Sequence, residues 1–144
     1  MSIKDYVCPV LGFLGGLFCT MFGGFDTGII TLLIFMGIDY ASGLILAGVF
    51  KKSKKSECGA LESAIGFKGL VKKCMCLVFV FIGCQLDSFM GTTFIRDAVI
   101  IGFISNELIS IVENAGLMGV PIPAAIRKAI EILNKKEKGG SNNE

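Results

Sequence analysis

With 144 residues, 53% of them hydrophobic, and a mean hydropathy of +0.72, the chain carries more apolar surface than a soluble domain of this size can hide, so lipid has to cover the remainder. The net charge of +2 is small, and because the basic residues flank apolar runs they read as topology determinants and as contacts for the anionic inner leaflet, not as a nucleic-acid surface. There is no histidine, no nucleophile–base constellation and no glycine-rich phosphate loop, which excludes a soluble-type enzyme; neither cofactor nor metal is expected.

Residues 7–25 contain no charge, and their nineteen positions give about 28 Å of helix against a hydrocarbon core of about 30 Å. The run is longer than a signal-peptide core of roughly 7 to 15 residues and ends in a poor cleavage site, so it is expected to be retained as a first span. Gly23, Gly24 and Asp26 predict a tight turn, and 27–50 a second span whose one charge is Asp39. Residues 51–73 are polar and basic; Gly59, Gly66 and Gly69 argue against one uninterrupted helix, so a cytoplasmic loop with a short interfacial helix over 60–67 is expected. A third span follows at 74–94 with Asp87 near its far end, then a polar junction holding Arg96 and Asp97, then a fourth at 98–120 interrupted by Asn106, Glu107 and Glu113. After Pro121 and Pro123, the residues Ile122, Ile126, Ile130 and Leu133 recur at helical spacing among Arg127, Lys128, Glu131, Lys135 and Lys136, which predicts a basic amphipathic interfacial helix over 123–138 and a disordered tail at 139–144.

Every Lys and Arg except Arg96 falls at Lys4, within 51–73 or within 127–138. Short basic segments stay on the cytoplasmic side, so an even number of crossings must separate the last two, and both termini come out cytoplasmic. The expected fold is a single all-α integral membrane domain over 1–138, with four transmembrane helices and a C-terminal amphipathic helix. Cys8, Cys19, Cys74, Cys76 and Cys84 lie in or beside apolar runs and behave as small hydrophobes, and on a helix Cys74 and Cys76 point about 200° apart.

Asp39 lies close to the middle of the second span, where an ionisable side chain costs about 2.5 to 3.5 kcal/mol, so it must face protein or water. Two roles are open to it: a hydrogen-bond partner that fixes helix packing, or part of a polar, water-accessible surface. Glu107, beside Ser105 and Asn106, raises the same choice in the fourth span, with Ser110 on a similar face and Glu113 beyond. Asp39, Asn106, Glu107, Ser110 and Glu113 are therefore the candidate pore-lining or intramembrane polar residues. Small residues four apart, Gly12 with Gly16, Gly24 with Gly28 and Gly37 with Ala41, are candidates for close helix packing, together with Gly43.

The segment Ile38-Asp39-Tyr40-Ala41-Ser42-Gly43, the later Ser63-Ala64-Ile65-Gly66-Phe67-Lys68-Gly69-Leu70, the run from Asn106 to Asn114 and the exit Gly119-Val120-Pro121-Ile122-Pro123 together resemble the phage-lysis and toxin-secretion holin family. The similar segments cover roughly residues 35 to 135. The resemblance singles out Gly66, Lys68, Gly69, Asn114, Pro121 and Pro123 besides the residues above, and matches 7–25 less closely, leaving a full crossing, a re-entrant segment or a helix that leaves the bilayer. It implies a small protein of the bacterial cytoplasmic membrane that forms homo-oligomers and opens a lesion releasing a cell-wall hydrolase or an exported toxin. An antiholin-like regulator, a small transporter subunit and an intramembrane lipid enzyme are the alternatives.

Overall fold

The structure is a computed structural model that describes residues 3–51 and 63–139. Five helices follow in order: α1 (Ile3–Met21), α2 (Thr27–Ile45), continued by a π-helical turn at Leu46–Phe50, α3 (Ser63–Met90), α4 (Ile95–Leu117) and α5 (Ala124–Gly139). No strand occurs among the described residues. Two segments, Thr27–Phe50 and Gly66–Met90, are long and apolar enough to cross a membrane, whereas the apolar part of α1, Tyr6–Met21, is shorter and α4 carries Arg96, Asp97, Glu107 and Glu113.

Local chemistry explains the ends. Asp26 caps α2 by accepting the Ile29 N–H at 3.0 Å. The π turn stops at Lys51, whose N–H returns to the Leu46 carbonyl. At the end of α4, Gly119 takes a φ of +84°, which lets Val120 N–H reach the Ala115 carbonyl and Gly119 N–H the Gly116 carbonyl, and Pro121 then prevents continuation. Gly23, at φ +72°, ends α1 the same way, with Gly24 N–H on the Cys19 carbonyl.

The expected 51–73 loop needs correction. Helix α3 starts at Ser63 and runs without a break through Gly66 and Gly69. Each glycine lowers helix stability by about 1 kcal/mol relative to alanine, too little to break a helix of 28 residues. Gly66 also lies where a Cβ would meet the Tyr40 hydroxyl at 3.6 Å. Residues 52–62, with Gly59 and the start of the expected 60–67 helix, lie outside the described residues, as does the tail beyond 139.

Helices α2, α3 and α4 form a trio. Asp26 meets Arg96 near the starts of α2 and α4 and Ser42 meets Asn114 near their ends, so these two run parallel; α3 runs opposite, with Asp87 at the start of α4 and Lys73 at Glu107. Each inward face is apolar between polar ends. On α2, Ile29, Leu32 and Met36 lead to Asp39; on α3, Val80 lies between Lys73 and Asp87; on α4, Ile100 lies between Arg96 and Glu107. The helical spacing of these positions keeps them on one side of each rod. In contrast, α1 is uncovered along most of its length, with Phe13 72% exposed, and meets the core through Phe18, which stacks on Phe22 at 4.3 Å between centroids. Helix α5 packs against α4, with Ala129, Ile130 and Leu133 half-covered and Arg127, Lys128 and Lys135 exposed.

Candidate functional site

Halfway along the trio, one lysine serves two carboxylates. The Lys73 Nζ of α3 donates to Asp39 Oδ2 of α2 at 2.8 Å and to Glu107 Oε2 of α4 at 2.5 Å. The Asn114 amide donates to Asp39 Oδ1 at 3.3 Å and to Ser42 Oγ at 2.9 Å, while Ser42 Oγ donates to the Asp39 carbonyl at 3.0 Å. Asp39, Glu107 and Asn114 are buried. One cation against two anions leaves the cluster one negative charge if both carboxylates are ionised. Buried charges survive only when paired and hydrogen-bonded, so this arrangement ties three helices at one level.

A second tie closes the other end. The buried Arg96 donates from Nε to the Phe22 carbonyl at 2.6 Å and from one terminal nitrogen to Asp26 Oδ2 at 2.7 Å and Asp97 Oδ1 at 3.1 Å. Asp87 receives the Arg96 and Ile95 N–H groups at 2.8 and 3.1 Å and the Thr92 hydroxyl at 2.6 Å, so the end of α3 caps the start of α4. The Arg96 guanidinium hydrogen-bonded to Asp26 holds that carboxyl below the ordinary carboxylate value, outweighing the opposing effect of partial burial. Gly83 allows the close approach, because a Cβ there would come within 3.1 Å of Arg96 Cα.

The candidate polar residues separate. Asp39 and Glu107 come together; Asn106 and Glu113 are exposed on α4, and Ser110 is half-buried. Among the small residues, a Cβ at Gly28 would meet Ile100 at 3.5 Å and one at Gly43 the Asn114 amide at 3.9 Å, whereas Gly12, Gly16 and Gly37 face open space and Ala41 is exposed. Gly24 lies in the connection before α2, not on a helix, so 24 and 28 do not form a helical pair. Lys68 is exposed, and Pro121 and Pro123 lie in the connection to α5. Sequence reasoning missed Lys73, Ser42, Arg96 and Gly83 as site or tie residues. Sequence alone puts Lys73 at the end of the expected 51–73 loop as a topology marker; it lies well inside α3 because that helix begins ten residues earlier.

A model of the bacteriophage holin family matches residues 16–135, which takes in the whole α2–α4 trio and most of α5. The chain belongs to the bacteriophage holin family. The match begins inside α1, consistent with the looser resemblance of that segment. The family is non-enzymatic in general, and membership together with the two long apolar helices points to a membrane location. Among the relatives, an uncharacterised protein of Clostridium perfringens strain 13 is 41% identical over 90% of this chain and 93% of its own length. An uncharacterised 14.9 kDa protein in the nagH 3′ region of Clostridium perfringens is 40% identical, over 94% and 98% of the two chains. One from Listeria monocytogenes is 40% identical over 88% and 85%. No solved structure matches.

Proposed function

We propose that this protein is a holin that accumulates in the bacterial cytoplasmic membrane, self-associates and opens a lesion for a cell-wall hydrolase or an exported toxin. The family match across the trio carries the reading. In this proposal the chain crosses four times, α1 and α4 included, with both termini cytoplasmic. The described conformation supports an accumulating state: Asp39, Glu107 and Lys73 answer one another within one chain, and the outward faces of α2 and α3 present Ile34, Ile38, Phe79 and Ile82 to lipid. At high density subunits rearrange so that the Lys73 cluster faces water, which solvates its excess charge, while the open faces at Gly12, Gly16, Gly37 and Ala41 take neighbouring helices.

Expression in a bacterium lacking any hydrolase tests this. Membrane potential and respiration should collapse abruptly after a delay, and Asp39→Asn or Glu107→Gln should shift that delay. Respiration undisturbed at high expression would overturn the proposal and favour an antiholin-like regulator. Substrate-dependent flux or turnover that Asp39→Asn abolishes, without loss of potential, would favour a transporter subunit or lipid enzyme.

A further inference from the structure

Six exposed cations, Lys51, Lys68, Lys72, Arg127, Lys128 and Lys135, lie at the end of α2, in the first turns of α3 and along α5. Because α3 runs against α2 and α4, the ends of α2 and α4 and the starts of α3 and α5 gather at one end of the trio. Among the described residues none of the six pairs with a carboxylate, whereas Lys73 and Arg96 are both committed to ion pairs inside. Apolar side chains alternate with these cations and are themselves uncovered: Phe67, Leu70 and Val71 around Lys68 and Lys72, and Ile126 beside Arg127 and Lys128. An acidic protein segment would answer the charges and leave that apolar surface wet. A lipid with a negative headgroup answers both, phosphate to cation and acyl chain to the apolar residues.

We propose that this end of the molecule is a binding surface for anionic phospholipid, in which Lys68 of α3 and Arg127 and Lys128 of α5 hold headgroup phosphates, Lys72 one turn deeper adds to the attraction, and acyl chains lie along Leu70, Val71 and Met75. The inference rests on the membrane location within the proposed function, not on lesion formation. Each cation near an anionic surface is worth about a fivefold preference, and added salt weakens the attraction by shortening its range.

The full chain, reconstituted in phosphatidylcholine bilayers containing a minor fraction of phosphatidylglycerol and extracted in mild detergent, should retain phosphatidylglycerol enriched about fivefold or more over the bilayer ratio, read by mass spectrometry of the bound lipid. Replacing Lys68, Lys72, Arg127 and Lys128 by glutamine should return the ratio to that of the bilayer with helix content unchanged, and arginine at the three lysine positions should keep the enrichment. A wild-type ratio equal to the bilayer's, or enrichment that survives the four glutamines, would overturn the assignment. So would binding of a polyglutamate peptide with no phosphatidylglycerol retained, which would give the surface to an acidic protein. Permeabilisation is not read here, so retained lipid without loss of membrane potential in cells counts against the holin reading alone.

Discussion

Lys73→Met removes the cation and keeps most of the length and an apolar stem for the side chain. The two carboxylate oxygens it serves, at 2.8 and 2.5 Å from one nitrogen, lie within about 5 Å of each other. At that separation two like charges repel by about 3 kcal/mol at an effective dielectric of about 20, and each has also lost its counter-charge away from water. We expect a loss of about 3 to 5 kcal/mol, the usual cost of breaking a buried pair from one side. Asp39→Asn acts differently, because it leaves one cation with one anion and a side chain that can still bond to Asn114; its cost should stay below about 1 kcal/mol. Equilibrium unfolding in mixed detergent and dodecyl sulfate, followed by circular dichroism, compares the two, and adding Asp39→Asn and Glu107→Gln to Lys73→Met should recover most of the loss. If Asp39→Asn costs as much as Lys73→Met, or if the triple variant is no better than Lys73→Met alone, the charge count is not what holds the trio.

Arg96→Lys should destabilise by about 2 kcal/mol in the same assay, because an ammonium cannot reach the Phe22 carbonyl and Asp26 together as the guanidinium does. Gly83→Ala should cost about 1 to 3 kcal/mol by forcing a methyl against the Arg96 backbone, whereas Gly37→Ala, into open space, should be neutral or stabilising in the single chain. Asp26 has a depressed pKa when folded, so its contribution is present above the ordinary carboxylate pKa of 3.8 and is lost as pH falls through the lower folded value. Unfolding measured from pH 7 down to about pH 3 should therefore lose stability more steeply in the wild type than in Asp26→Asn, and parallel curves would contradict the pairing with Arg96.

Much of the architecture could be read from the chain because its signals are local. Residues 27–50 stand out as an apolar run between a capping Asp26 and the cationic Lys51, and the end of α4 is marked by Gly119 and Pro121, which act on their own backbone. The start of α3 was hidden because Gly66 and Gly69 read as breakers, whereas the helix runs through both into the apolar stretch that follows. Asp39 and Glu107 were legible because each interrupts an apolar run. Their partner was not: Lys73 adjoins Lys72 at the margin of a basic stretch, and only its register with Val80 and Asp87 on one helical face separates it from a topology marker. Arg96 looked like an outlying surface charge beside Asp97, since its contacts with Phe22 and Asp26 cross seventy residues and more of sequence.

Because the two polar ties sit at different depths, the trio behaves like a keyed shaft. Advancing α3 by a single residue would turn its side chains by about 100° and shift them about 1.5 Å, taking Lys73 away from Asp39 and Asp87 away from the α4 amides in one movement. Gradual sliding of α3 is thereby opposed at both depths at once, so the trio has one register in which the two sets of contacts are made together.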